Sequence, residues 1–214
     1  MSGTPQLSAG GGEAGAVPVT TAVLHGVRLL GFATGDRIAA RMGLDRAATD
    51  EELLDQQAYG RVRWSEYAGT AGWALTGAGR VEGERLIAAE LDACPGRRAA
   101  LARLYEAFLP VNARLQTACT QWQLRPADGD ALAPNDHADP VWDARVLALL
   151  GGIATELESI ERDLVTVLRR FGGYHDRFRT ALADRRISDP LDSCHQVWFE
   201  LHEDLIATLG VPRG

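Results

Sequence analysis

The chain contains no lysine: every one of its 22 basic residues is arginine. That absence excludes Schiff-base chemistry, a P-loop lysine and a lysine general base. Cysteine is scarce as well. Cys94, Cys119 and Cys194 are odd in number, widely spaced and without a CxxC pair, so they read as reduced thiols and not as a disulfide or zinc framework. No run of residues approaches the roughly 18 apolar positions of a membrane span. The N-terminus lacks the basic start and apolar run of a signal peptide, so a cytoplasmic protein is expected, with no membrane partner. Positive charge is in deficit, with a net charge of −7, an unusual balance for a protein that meets nucleic acid. GxSxG, HExxH and a GxGxxG following a strand are all missing, so no catalytic residues, no enzyme activity and no cofactor are expected.

What is present supports a core: 46% of residues are apolar and 7% aromatic. Residues 1–18 are rich in Gly, Ser, Ala and Pro and read as a disordered arm. Thr20 or Thr21 can cap a first helix carrying Val23, Leu24, Val27, Leu29 and Leu30. The stretch Thr34–Thr76 is the most organised. A short helix with Ile38, Ala39 and Met42 ends at Gly43. A second helix, capped by Thr49 or Asp50, carries Leu53, Leu54 and Ala58 and stops at Gly60. Two candidate strands follow, Val62–Tyr67 and Trp73–Thr76, joined by the turn Ala68–Gly72.

Helix, turn, helix, glycine stop and hairpin make a helix-turn-helix with a wing. The residues Asp36–Leu44, Leu53-Leu54…Ala58-x-Gly60-x-Val62 and Gly72-Trp73-Ala74-Leu75-Thr76…Gly79-Arg80 resemble the winged helix of MarR-like bacterial transcriptional regulators. The resemblance implies that the second helix enters the major groove of double-stranded DNA and that the hairpin lies along the backbone.

The remainder reads as helices. One covers the segment after the wing and ends before Pro95-Gly96. A longer one runs from about Arg97 to Leu124, with Leu101, Leu104, Phe108, Val111, Leu115, Ala118 and Trp122 stepping by three and four and Pro110 inside it. Arg125–Pro140 is the longest non-periodic stretch, with four aspartates, Asn135 and His137. Val146, Leu150, Ile153, Leu157, Ile160, Leu164 and Val167 then repeat over three heptads as a bundle or dimer seam. Two more helices follow, from Tyr174 to about Arg185 and from Asp192 to Leu209. The expected architecture is mainly α: a disordered arm (1–18), a winged helix (19–93) and an all-α helical bundle (94–214).

Candidate DNA contacts are Arg46, Thr49, Gln56, Gln57, Arg61 and Arg63, although the second helix also carries Asp50, Glu51, Glu52 and Asp55. A ligand site in the second half is expected from Asn112, Arg114, Asp136, His137, His195, Trp198, His202 and Glu203. His195 and His202 share a helical face but stand roughly 10 Å apart along it, which suits core histidines better than joint metal chelation. No metal is expected; the alternative is one held by His137, His195 and His202. The segments Asn135–Asp143 and Asp192–Leu205 resemble stretches of uncharacterised bacterial winged-helix proteins, which implies kinship without a reaction. Seven arginines within Arg162–Arg186 face acidic flanks, so they pair within the chain or, alternatively, Arg169, Arg170 or Arg177 receives an anionic effector.

The resulting expectation is a homodimeric, DNA-binding transcriptional regulator that senses a small-molecule effector through its helical C-terminal domain. The alternative is a metal- or ligand-binding enzyme or accessory protein that uses the winged helix as an interaction module.

Overall fold

A computed structural model describes residues 17–67, 69–126, 129, 130 and 132–211. Most of the expected disordered arm lies outside the described residues, as do positions 127, 128 and 131 of the long acidic stretch.

The chain is mainly helical, with a single antiparallel hairpin among the described residues placed after three helices. Helix α1 (Val19–Leu30) buries Val23, Leu24 and Val27, and the chain turns at Gly31, whose φ is 69°. Helix α2 (Gly35–Met42) ends on Gly43, a left-handed stop that needs no Cβ. Asp45, not Thr49 or Asp50, caps helix α3 (Arg46–Ala58), its carboxylate accepting from the Ala48 amide at 2.9 Å. The helix therefore starts earlier than expected, and Thr49 falls inside its first turns.

Strands β1 (Val62–Tyr67) and β2 (Thr70–Leu75) pair in the register Val62↔Leu75, so the hairpin turn is tighter than the expected Ala68–Gly72. Trp64 and Trp73 are cross-strand partners, with ring centroids 5.3 Å apart in an edge-to-face arrangement. Ala33 adds one residue of pairing to β2, exchanging hydrogen bonds with Trp73 at 2.8 and 3.2 Å.

Helix α4 (Gly77–Asp92) opens on Thr76, whose hydroxyl accepts from the Gly79 amide. A side chain at Gly79 would overlap the Arg61 carbonyl, which explains a glycine in the first turn of a helix. Helices α5 (Arg97–Gln123) and α6 (Pro140–Val167) form a long antiparallel pair, and α5 stays helical through Pro110. Asp139 caps α6 with Pro140 at its first position. A 3₁₀ turn (Arg169–Phe171) leads through Gly172-Gly173 into α7 (Tyr174–Ala183). Helix α8 (Cys194–Leu209) is capped by Ser193 and so starts two residues later than expected.

Two apolar clusters result. One joins Val23, Leu24, Val27, Ile38, Leu53, Val62 and Trp73; the other runs from Leu91 through α5, α6, α7 and α8. The heptad residues Val146, Leu150, Ile153, Leu157, Leu164 and Val167 are buried within the second cluster, so this seam closes the chain's own core. We call the first part, α1–α3 with the hairpin, the head, and α5–α8 the body; α4 connects them.

Candidate functional site

The strongest concentration of buried charge lies where the head meets the body. Ile38 and Ala39 anchor α2 in the head core, which turns the opposite side, with Arg37 and Arg41 one helical turn apart, toward the body. Across from it, Phe171 is fully buried and fixes the 3₁₀ turn, so that Arg169 and Arg170 precede the reversal at Gly173 (φ 90°). Glu161 accepts the Gly173 and His175 amides at 2.8 and 2.5 Å and so fastens the start of α7, one turn before Arg177. Helix α8 supplies the acids.

Glu200 is fully buried and accepts from Arg41 of the head at 3.1 Å and from Arg177 of the body at 2.7 Å. Asp204 receives Nε2 of His25 at 2.8 Å and the Tyr174 hydroxyl at 2.9 Å. Arg170 donates to the Thr208 hydroxyl at 2.6 Å and lies 3.4 Å from Glu90. Arg28 of α1 donates to Glu203 at 2.8 Å, and the Arg41 guanidinium stacks over the Tyr174 ring. Four residues of one α8 face thus hold α1, α2, the 3₁₀ turn and α7 together. Ion pairs this deep are governed by desolvation: removing one partner strands the other in a medium of low dielectric.

The electrostatics follow from that burial. Desolvation outweighs the attraction of Asp204 and lowers the His25 pKa below the usual imidazole value. Burial alone would raise Asp204, but His25, Arg170 and Arg41 together hold its carboxyl well below the ordinary range. A neutral imidazole donating from Nε2 to an ionised Asp204 also accounts for Nδ1 of His25, which is buried without a hydrogen-bond partner: an unpaired acceptor there costs less than an unpaired N–H⁺. Burial likewise pushes the Tyr174 hydroxyl well up, keeping it a donor.

Beside this network opens a cleft of about 680 Å³ between α2 and the start of α7. Arg37, Arg41, Arg169, Arg170 and Arg177 line it, with Asp192 as the one carboxylate and Leu30, Ala40 and Met42 as apolar wall. Asp192 has a φ of 51°, an uncommon left-handed backbone for a non-glycine residue, and its carboxylate stands 3.8 Å from Arg37.

The ligand site expected from sequence does not come together as one: Asn112, Trp198 and His202 gather around Phe108, while the other expected residues stand elsewhere. His137 packs at a tilt against Trp122 with centroids 4.6 Å apart and bonds Asp143 at 3.0 Å, at the α5–α6 end of the body. His202 instead packs against Tyr105 and Phe108 near the other end of α5, so the two histidines are separated by roughly 25 Å of helical rise. His195 is exposed. Hence His137, His195 and His202 cannot share a metal. Among the described residues, no group of three or more His, Cys, Asp or Glu side chains is placed to hold one. Asn112 accepts from the Trp198 indole at 2.9 Å, Arg114 pairs with Glu156, and Asp136 pairs with Arg125, all as internal contacts. Glu203 alone of that set reaches the junction.

Among the expected DNA contacts, Thr49 is fully buried, its hydroxyl donating back to the Asp45 carbonyl. Gln56 is also buried, held between Glu52 at 2.6 Å and Arg61 at 3.0 Å. Both fall on the inner side of α3, on the same helical face as the buried Leu53. Arg61 is further tied to Glu82, and Arg46 to Asp36 and Asp50. Gln57 and Arg63 remain exposed, and Arg63 has no ion-pair partner among the described residues.

Sequence reasoning missed His25, Arg41, Glu200 and Asp204 as a unit, because four residues spread over some 180 positions meet only in three dimensions. The arginine-rich segment Arg162–Arg186 and Glu203 were the legible traces of the site. No protein-family model, no curated protein and no solved structure matches this chain.

Proposed function

We propose that this protein is a cytoplasmic, ligand-responsive transcriptional regulator whose head is a winged helix that contacts double-stranded DNA, and whose junction cleft takes a small-molecule effector. The observation that carries this reading is the clamp of α2 onto the body through Arg41 and Glu200 at 3.1 Å. Only Gly43, Leu44 and the capping Asp45 separate α2 from α3, so a change in the clamp moves the second helix with the first. An effector in the cleft beside Arg37 and Arg41 would therefore alter how α3 and the hairpin are presented.

DNA contacts would come from Gln57 on α3, from Arg63 on β1 and from Arg46 once it exchanges Asp36 and Asp50 for phosphate. A homodimer would be built on surfaces other than the Val146–Val167 seam, which is already packed inside the chain.

One observation favours a second reading. The outer face of α3 presents Glu51, Leu54, Asp55 and Tyr59, with Leu54 and Tyr59 58% and 70% exposed, and Trp64 stands out from the hairpin beside it. Acids and bare apolar groups suit a basic protein partner better than phosphates.

Anisotropy titrations of labelled duplexes, including the gene's own upstream region, across a salt series separate the two. Saturable binding with a steep negative salt slope, weakened in Arg63→Ala, supports the regulator. No affinity for any duplex at low salt removes it and leaves the protein-interaction module.

A further inference from the structure

The geometry points to a more specific occupant of the junction cleft: a small molecule carrying a doubly charged phosphoryl group, whose oxygens fasten head to body. This deepens the reading of the cleft as the effector site and rests on it. Two of the five lining guanidiniums, Arg37 and Arg41, belong to the head, and three, Arg169, Arg170 and Arg177, to the body.

The built-in carboxylates satisfy only part of this charge. Glu200 engages one nitrogen each of Arg41 and Arg177. Arg41, whose side chain is 8% exposed, keeps a buried Nη2 that nothing among the described residues accepts. Arg37 meets Asp192 only at 3.8 Å, and Arg169 is exposed with no ion pair among the described residues. Three guanidiniums on two sides of one cleft are thus left with donors to spare.

A carboxylate has two coplanar oxygens and matches one arginine fork. A phosphoryl dianion presents three terminal oxygens in a tetrahedral spread and about two negative charges, and so can satisfy donors arriving from both walls. The cleft is larger than a bare phosphate requires and falls in the usual range for small-molecule sites, roughly 300–1,000 Å³. Leu30, Ala40 and Met42 offer apolar wall to an organic remainder. Asp192 acts as the resident competitor that leaves Arg37 when the anion arrives.

The test is isothermal titration of the full chain, without DNA, with inorganic phosphate, with phenyl phosphate and with benzoate as the monocarboxylate control. Saturable 1:1 binding of a phosphoryl probe is expected. Losing one charge-assisted contact in Arg37→Ala or Arg169→Ala should weaken it about tenfold or more, and Asp192→Asn should tighten it. Both arginines are at the cleft edge, so circular dichroism and melting temperature should confirm that these variants fold. Tighter binding of phenyl phosphate assigns a phosphate ester, and tighter binding of inorganic phosphate assigns the free ion. Absence of saturable phosphoryl binding, equal binding of benzoate, or affinities unmoved by Arg37→Ala and Arg169→Ala would overturn the inference. The DNA titrations above would still stand or fall by themselves.

Discussion

His25 on the first helix and Asp204 on the last are joined at 2.8 Å, each side chain about 1% exposed. The pair closes the chain across 179 positions and places a neutral imidazole against an ionised carboxylate in a site without water access.

Acid should therefore weaken the junction in two stages. The folded His25 pKa is depressed, so its contribution to stability is complete above the ordinary imidazole value near 6.5 and declines as pH falls below it. The unfolded chain binds that proton and the folded one does not, giving up to about 1.4 kcal/mol per pH unit. Asp204 is depressed as well, and its contribution declines only below about pH 4, where an unfolded aspartate protonates. Urea melts between pH 7.5 and 5 should show the first stage in the wild type and its loss in His25→Gln.

Glu200→Gln leaves Arg41 and Arg177 facing a neutral amide. Breaking a buried pair of this kind costs about 3–5 kcal/mol. Amide exchange should accelerate first in α2, because Arg41 is its tie to Glu200, while the α5–α6 pair keeps its protection. Uniform acceleration throughout the chain would mean that the clamp is not a local hinge.

Thr49→Val and Gln57→Ala separate folding from recognition on α3. Thr49 is buried and bonded to Asp45, so its replacement should move melting temperature and leave affinity for duplex, measured on the folded fraction, unchanged. Gln57 is exposed, and its replacement should do the reverse if α3 reads bases. An unchanged affinity in Gln57→Ala would shift the recognition surface to the hairpin.

The three thiols should differ sharply toward iodoacetamide. Burial pushes Cys119 up to about 11 and Cys194 up to about 12, which removes the nucleophilic thiolate at neutral pH. Cys94 is exposed. Mass spectrometry of the native protein should find one modified cysteine, and all three only after denaturation.

Local pattern in the sequence was enough to determine most of the helices. The three- and four-residue spacing of Leu101, Phe108, Val111 and Leu115, the heptads from Val146 to Val167, and stops such as Gly43 and Gly210 act through neighbours on the same helix, and the elements appear where that spacing places them. The hairpin after three helices was legible for the same reason. Which side of α3 faces inward was not, because the cap at Asp45 and the packing of Thr49 and Gln56 depend on α1, on Arg61 and on the hairpin behind them. Histidines that share a face of α8 in sequence were separated by what packs there, Tyr105 and Phe108 at one and solvent at the other. Only the tertiary structure assembled the junction, because His25, Arg41, Arg170, Tyr174, Glu200 and Asp204 carry no shared period. Their charges become compatible with burial only when the head docks on the body and each finds its partner.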